Sequence, residues 1–122
     1  MSRVLVIDDN EDMRELLRLV LTHAGYEVEL AHDGEAGVRA QRARPADLVI
    51  TDIFMPNRDG FETIVELRSA HPGVKLVAVS GGGSRFSGEG YLAAARAAGA
   101  DAALPKPFEQ EELLRTVRRL LP

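Results

Sequence analysis

The sequence predicts a single doubly wound α/β domain, a five-stranded parallel sheet with helices on both faces. Short apolar runs alternate with stretches of helical periodicity along the whole chain, and that alternation belongs to a parallel sheet covered on both sides. The runs Val4-Leu5-Val6-Ile7 and Leu48-Val49-Ile50-Thr51 are almost continuously apolar, as strands buried on both faces are. The length, 122 residues, suits one domain with one real core, and residues 1–122 are expected to form it. The common five-stranded order is 2-1-3-4-5, with right-handed crossovers.

The elements follow in order. Val4–Ile7 is the first strand. Met13, Leu16, Leu17, Val20, Leu21 and Ala24 recur at helical spacing, and Gly25 is placed to stop that helix. Tyr26–Ala31 is the second strand. Asp33 is placed to cap a helix that runs to about Arg42, ahead of Pro45. Asp47–Thr51 is the third strand. Phe61, Ile64, Val65 and Leu67 mark a helix after Gly60 that ends near His71-Pro72-Gly73. Lys75–Ser80 is the fourth strand. A loop opens at Gly81-Gly82-Gly83 and runs to about Gly90; its glycines are costly to order, and it is expected to be mobile. Tyr91–Ala98 is an alanine-rich helix closed by Gly99, and Ala102–Leu104 is a short fifth strand. Pro105 lacks an amide proton and is tolerated because the fifth strand is an edge. Leu113, Leu114, Val117, Leu120 and Leu121 stripe the last helix, with Phe108 as its packing anchor.

Composition narrows the function. A net charge of −4 leaves no basic footprint for nucleic acid. The absence of cysteine rules out a disulfide framework and a thiolate metal site. No apolar run reaches membrane-spanning length, and no export signal follows Met1. A cytoplasmic protein without membrane contact is expected. His23, His32 and His71 show no ligand spacing.

One concentration of chemistry stands out. Asp8 and Asp9 follow the first strand, and Asp52 follows the third. In the order 2-1-3-4-5 these strands are neighbours, and the switch point lies between their carboxyl ends, where ligands bind. Two carboxylates about 4 Å apart repel by roughly 4 kcal/mol at an effective dielectric near 20. A cluster of them calls for a cation, and a hard divalent one suits carboxylate oxygens. Ser80 ends the fourth strand and Lys106 follows the fifth, so the same edge gathers a hydroxyl and an ammonium suited to an anion. Phosphoryl is the anion that commonly bridges magnesium and lysine, and an aspartate can become an acyl phosphate.

The residues Val4-Leu5-Val6-Ile7-Asp8-Asp9-Asn10, Asp52-Ile53-Phe54-Met55-Pro56 with Asp59-Gly60, Ser80-Gly81 and Lys106-Pro107-Phe108 together resemble the CheY-like receiver domains of two-component response regulators. The resemblance covers essentially the full length and implies the flavodoxin-like sheet order. It implies Asp52 as phosphoacceptor and Mg2+ held directly by Asp9 and Asp52, by the Phe54 backbone carbonyl, and by Asp8 mainly through water. Lys106 would pair with a phosphoryl oxygen. Ser80 and the Gly81 amide would bond the phosphoryl group and couple it to a loop shift. The Lys106-Pro107 peptide would be cis. The donor would be a phosphohistidine on a sensor histidine kinase or a histidine phosphotransfer protein. Output would be by protein–protein contact, from a monomer or weak dimer with no enzymatic activity beyond its own phosphorylation and dephosphorylation.

Three departures from the family pattern are visible. Ala103 stands three positions before Lys106, where receivers usually carry an aromatic switch residue; Phe86 and Tyr91 are the nearby aromatic substitutes. The segment between Ser80 and Lys106 is longer than usual, with the extra length in Gly81–Gly90. Phe54 and Gly82 offer no polar side chain to orient an attacking water, so a phosphoryl group that is not especially short-lived is expected. Other readings of the residues are an interaction module that has lost phosphorylation, a receiver cut from a longer transcriptional regulator or hybrid kinase, an aspartyl phosphatase and a flavodoxin-like electron carrier. The phosphatase would want an acid where Phe54 stands. The electron carrier is disfavoured by the acidic pocket. Loss of phosphorylation is disfavoured because the acceptor, the acidic pair and the lysine are all present.

Overall fold

Strands and helices alternate strictly: β1 (Arg3–Ile7), α1 (Glu11–His23), β2 (Glu27–Ala31), α2 (Gly34–Ala43), β3 (Leu48–Asp52), α3 (Gly60–Ala70), β4 (Lys75–Ser80), α4 (Gly88–Ala98), β5 (Ala102–Pro105) and α5 (Gln110–Leu120). The chain is seen in a computed structural model that describes residues 2–53, 60–80 and 88–122. All four strand pairings are parallel, in the order β2-β1-β3-β4-β5. This is the predicted sheet, with β5 and β2 at its edges. Pro105 lies opposite Ser80 on the outer strand, as its missing amide requires.

Strand side chains alternate between faces, and each face carries its own core. On one face Leu5, Ile7, Val49, Leu76, Ala78 and Ala103 pack against Val38 of α2, Ile64 and Leu67 of α3 and Ala95 of α4. On the other, Val4, Val6, Leu48, Ile50, Val77, Val79 and Leu104 pack against Leu17 and Leu21 of α1 and Leu113 and Val117 of α5. Burial on both sides explains why β1, β3 and β4 read as continuous apolar runs. Phe108 joins the α5 side as expected.

The helix ends follow local chemistry. Asn10 caps α1 by accepting from the Met13 amide, and Asp33 caps α2 by accepting from the Ala36 amide. Gly25 and Gly99 follow α1 and α4 with φ of +100° and +128°, the left-handed region that favours glycine after a helix.

Leu16 and Val65 lie in the helices their spacing marks, but off the core faces; they are 51% and 53% exposed. Leu16 lies about 100° round the helix from Leu17, whose row with Val20 and Leu21 meets the sheet. Likewise Ile64 and Leu67 take the core row of α3 and turn Val65 outward. The fourth helix starts at Gly88, not Tyr91. Gly88 and Gly90 argue against helix on propensity, and the fold overrides that preference. The loop residues 81–87, Phe86 among them, and the Tyr91 side chain lie outside the described residues, as does Phe54.

Two tight junctions hold the helices of one face. Arg68, near the end of α3, donates to Pro72 O (2.9 Å), Val74 O (2.7 Å) and Gly99 O (2.9 Å from Nη2), and pairs with Asp101 at 2.6 Å. Asp101 Oδ2 in turn accepts from the Leu76 amide at 2.8 Å. One guanidinium thus ties the end of α3 and the start of β4 to the end of α4. At the other end of α3, the Gly60 amide donates to Ile53 O at 2.7 Å. A Cβ on Gly60 would lie 2.4 Å from Ile53 Cα and 2.5 Å from Asp52 O, both backbone atoms.

Replacing Arg68 with alanine removes its bonds to three carbonyls and to Asp101, and should lower stability by about 2–4 kcal/mol; a urea-unfolding difference near zero would show that the junction contributes little. Gly60→Ala must displace α3 from the end of β3 and should cost about 1–3 kcal/mol, with amide chemical-shift changes at Asp52 and Ile53. Unchanged shifts there would show that the close approach is not a constraint.

Candidate functional site

The site forms because β1 and β3 are neighbours and end level with each other. Ile7 is registered with Thr51, so the next residues, Asp8 and Asp52, emerge side by side. The Asp8 amide makes the last ladder bond, to Ala31 O at 3.1 Å. The chain then turns into α1, and the Asn10 amide donates to Asp8 Oδ1 at 2.9 Å. Asp52 is the last residue of β3, one position further into the strand than the apolar run suggested, because it still pairs with Val79 of β4.

Carboxylate oxygens of Asp8, Asp9 and Asp52 lie within 4.8 Å of one another. Asp8 and Asp52 are buried, at 3% and 6% exposure; Asp9 is exposed. Into this cluster reaches Lys106, whose Nζ donates to Asp8 Oδ2 at 2.9 Å and to Asp52 Oδ2 at 3.2 Å. Burial works against the ammonium charge, but the hydrogen bond with Asp8 and the charges of Asp52 and Asp8 outweigh it and hold Lys106 above the usual lysine range. The lysine therefore stays cationic at neutral pH and serves as a fixed positive charge between two carboxylates. The Lys106 amide donates to Ser80 O at 2.7 Å, which fastens the end of β5 to the end of β4. The Lys106-Pro107 peptide is cis, as expected.

One ammonium, touching two of three clustered carboxylates, leaves negative charge uncompensated. All the clustered donors are hard oxygens, which suits a divalent cation of the magnesium type. Both Asp8 carboxylate oxygens are already taken, one by the Asn10 amide and one by Lys106. The Asp9 carboxylate has no hydrogen-bond partner among the described residues and is exposed. At the end of β4, Ser80 is 2% exposed and its Oγ has no hydrogen-bond partner among the described residues. A buried hydroxyl without a partner is costly and uncommon, and a bound oxyanion would satisfy it.

Asp8, Asp9, Asp52, Ser80 and Lys106 thus gather at one edge, the carboxyl ends of β1, β3, β4 and β5. The expected contributions of Phe54 and Gly81 lie outside the described residues, as does Gly82. Ala103 is buried on the opposite side of β5 from Leu104, in the core beneath α3 and α4. Sequence reasoning missed two residues. Asn10 holds the Asp8 carboxylate through its amide. Arg14 reaches back from α1 to donate to Asp8 O at 2.7 Å. The signal for Arg14 was its place one turn beyond the helix cap, since helical side chains lean toward the N-terminus.

Relatives agree with this geometry. Residues 4–118 match the family described as response regulator receiver domain. Response regulator MprA of Mycobacterium ulcerans is 40% identical over 119 residues, which are 98% of this chain and 50% of that protein. MprA of Mycobacterium leprae is 42% identical over 120 residues, again 98% and 50%. The chain therefore spans about half the length of these curated relatives. Among solved structures, the Vibrio cholerae chemotaxis protein CheY4 is 33% identical with a TM-score of 0.86, covering 98% of both chains. The receiver domain of NtrX from Brucella abortus is 30% identical with a TM-score of 0.88, covering 97% of each. The sheet order, the acidic edge and these likenesses agree, and the chain belongs to the CheY-like response regulator receiver domain family.

Proposed function

We propose that this receiver accepts a phosphoryl group on Asp52 and signals through contact with another protein. The observation that carries the reading is the Lys106 ammonium bridging Asp8 and Asp52 in a cluster of three carboxylates. The donor is a phosphohistidine on a sensor histidine kinase or histidine phosphotransfer protein. An Asp52 carboxylate oxygen attacks phosphorus while the phosphorus–nitrogen bond breaks and its electron pair returns to the imidazole. Lys106 then gives up its contact with Asp52 and pairs with a phosphoryl oxygen, keeping Asp8 as a counter-charge. The Ser80 hydroxyl, without a hydrogen-bond partner among the described residues, supports its role as a donor to the phosphoryl group, and the Gly81 amide is the second donor of this reading.

Mg2+ is the cofactor of this reading, and when bound it spreads the negative charge of the transferring group. Asp9, Asp52 and the Phe54 carbonyl would be its direct protein ligands, and Asp8 would act through water. The occupied oxygens of Asp8, and an Asp9 carboxylate without a hydrogen-bond partner among the described residues, support that division. Catalysis is confined to the protein's own acyl phosphate, and a cytoplasmic location fits the donor. No helix among the described residues is long and apolar enough to cross a membrane.

Intact mass after incubation with a small-molecule phosphodonor and magnesium tests the acceptor: one phosphoryl adduct is expected in the wild type and none in Asp52→Ala. An unmodified wild type would favour a pure interaction module. Magnesium at a hundredfold excess over its dissociation constant should raise stability by about 2.7 kcal/mol, reversed by a chelator. A melting temperature indifferent to magnesium would remove the metal from the scheme.

A further inference from the structure

Arg14 is half-buried on the second turn of α1, and its Nη1 donates to the carbonyl oxygen of Asp8 at 2.7 Å. That oxygen belongs to the peptide unit joining Asp8 to Asp9. The strand ladder ends one atom group earlier, at the bond from the Asp8 amide to Ala31 O. The Asp8 carboxylate is separately braced by the Asn10 amide and Lys106. The Asp9 carboxylate has no hydrogen-bond partner among the described residues, so its direction follows from the backbone that carries it. A peptide unit is planar, and holding its oxygen sets the orientation of the plane from which Asp9 departs.

We infer that Arg14 is a positioning residue, which fixes the Asp8–Asp9 peptide so that Asp9 is presented to the metal and magnesium binds more tightly. The inference rests on the reading of this edge as a magnesium site. It has a sharp competitor in electrostatics. A fixed guanidinium beside a cation site repels the cation, so by charge alone Arg14 weakens metal binding. Positioning acts the other way, because a pre-oriented ligand need not be ordered on binding. The sign of the effect on affinity separates the two.

Calorimetric titration with magnesium chloride at fixed ionic strength should give a dissociation constant about tenfold higher for Arg14→Met than for the wild type. Arg14→Lys, which keeps the charge and a single donor, should fall between them. Unfolding in the presence of chelator checks that each variant is folded; if Arg14→Met is not, Arg14→Gln takes its place with the same expectation. Phosphorylation of the variant by a small-molecule phosphodonor should return to near the wild-type rate at saturating magnesium. Affinity equal to or tighter than wild type in the neutral variant overturns the inference and leaves the site reading standing, as does a rate that saturating magnesium fails to restore. A wild type that binds no magnesium overturns both, and the two failures are told apart by that one titration.

Discussion

The structure turns on one ammonium group held between two buried carboxylates. Lys106 is separated from Asp8 and Asp52 by 98 and 54 positions in the chain, and the contact exists only if β1, β3, β4 and β5 end at the same level. Their parallel registers provide that alignment. Without the lysine, Asp8 and Asp52 would keep their charges in a buried setting and lose the cation that both contact, and breaking a buried ion pair is strongly destabilising. The arrangement therefore ties the acidic edge to the sheet itself: the strands must close for the charges to be tolerated, and the charges mark where the strands close.

Most of the fold was legible because parallel strands buried on both faces leave continuous apolar runs, which are hard to mistake in β1, β3 and β4. Asp8, Asp9 and Asp52 were legible for the same reason, each falling at the end of such a run. Caps and stops at Asp33, Gly25 and Gly99 could be read because their chemistry is local. The start of α4 could not: Gly88 and Gly90 carry a propensity against helix, and only tertiary packing decides the matter. The outward turn of Leu16 and Val65 was hidden by the width of an apolar stripe, whose edge residues are set by the curvature of the surface they meet. Arg14 and Arg68 were hidden for a different reason. Each donates to backbone carbonyls, and a carbonyl leaves no mark in the sequence.

Ala103 gives the signalling half of the problem a physical shape. At this position a methyl group sits in the core with Ala78, Ala95 and Ala100, where an aromatic ring would be the moving part of the usual receiver. A methyl group has no alternative rotamer to offer. The Ala103 side chain therefore cannot supply the motion, and Arg68 fastens the carboxyl end of α4 to α3 and β4.

The flanks of the sheet bear on how the protein stays dispersed. Glu27 and Glu29 of β2 are engaged by Arg3 and Arg44, at 2.7 Å for Arg3 with Glu29 and 3.0 Å for Arg44 with Glu27, and β5 finishes in a proline. Exposed strand flanks otherwise recruit further strands from other copies. A charged lattice on one side and a missing donor on the other deter such growth, so crowding at high concentration should bring helices, and not strands, of neighbouring molecules together.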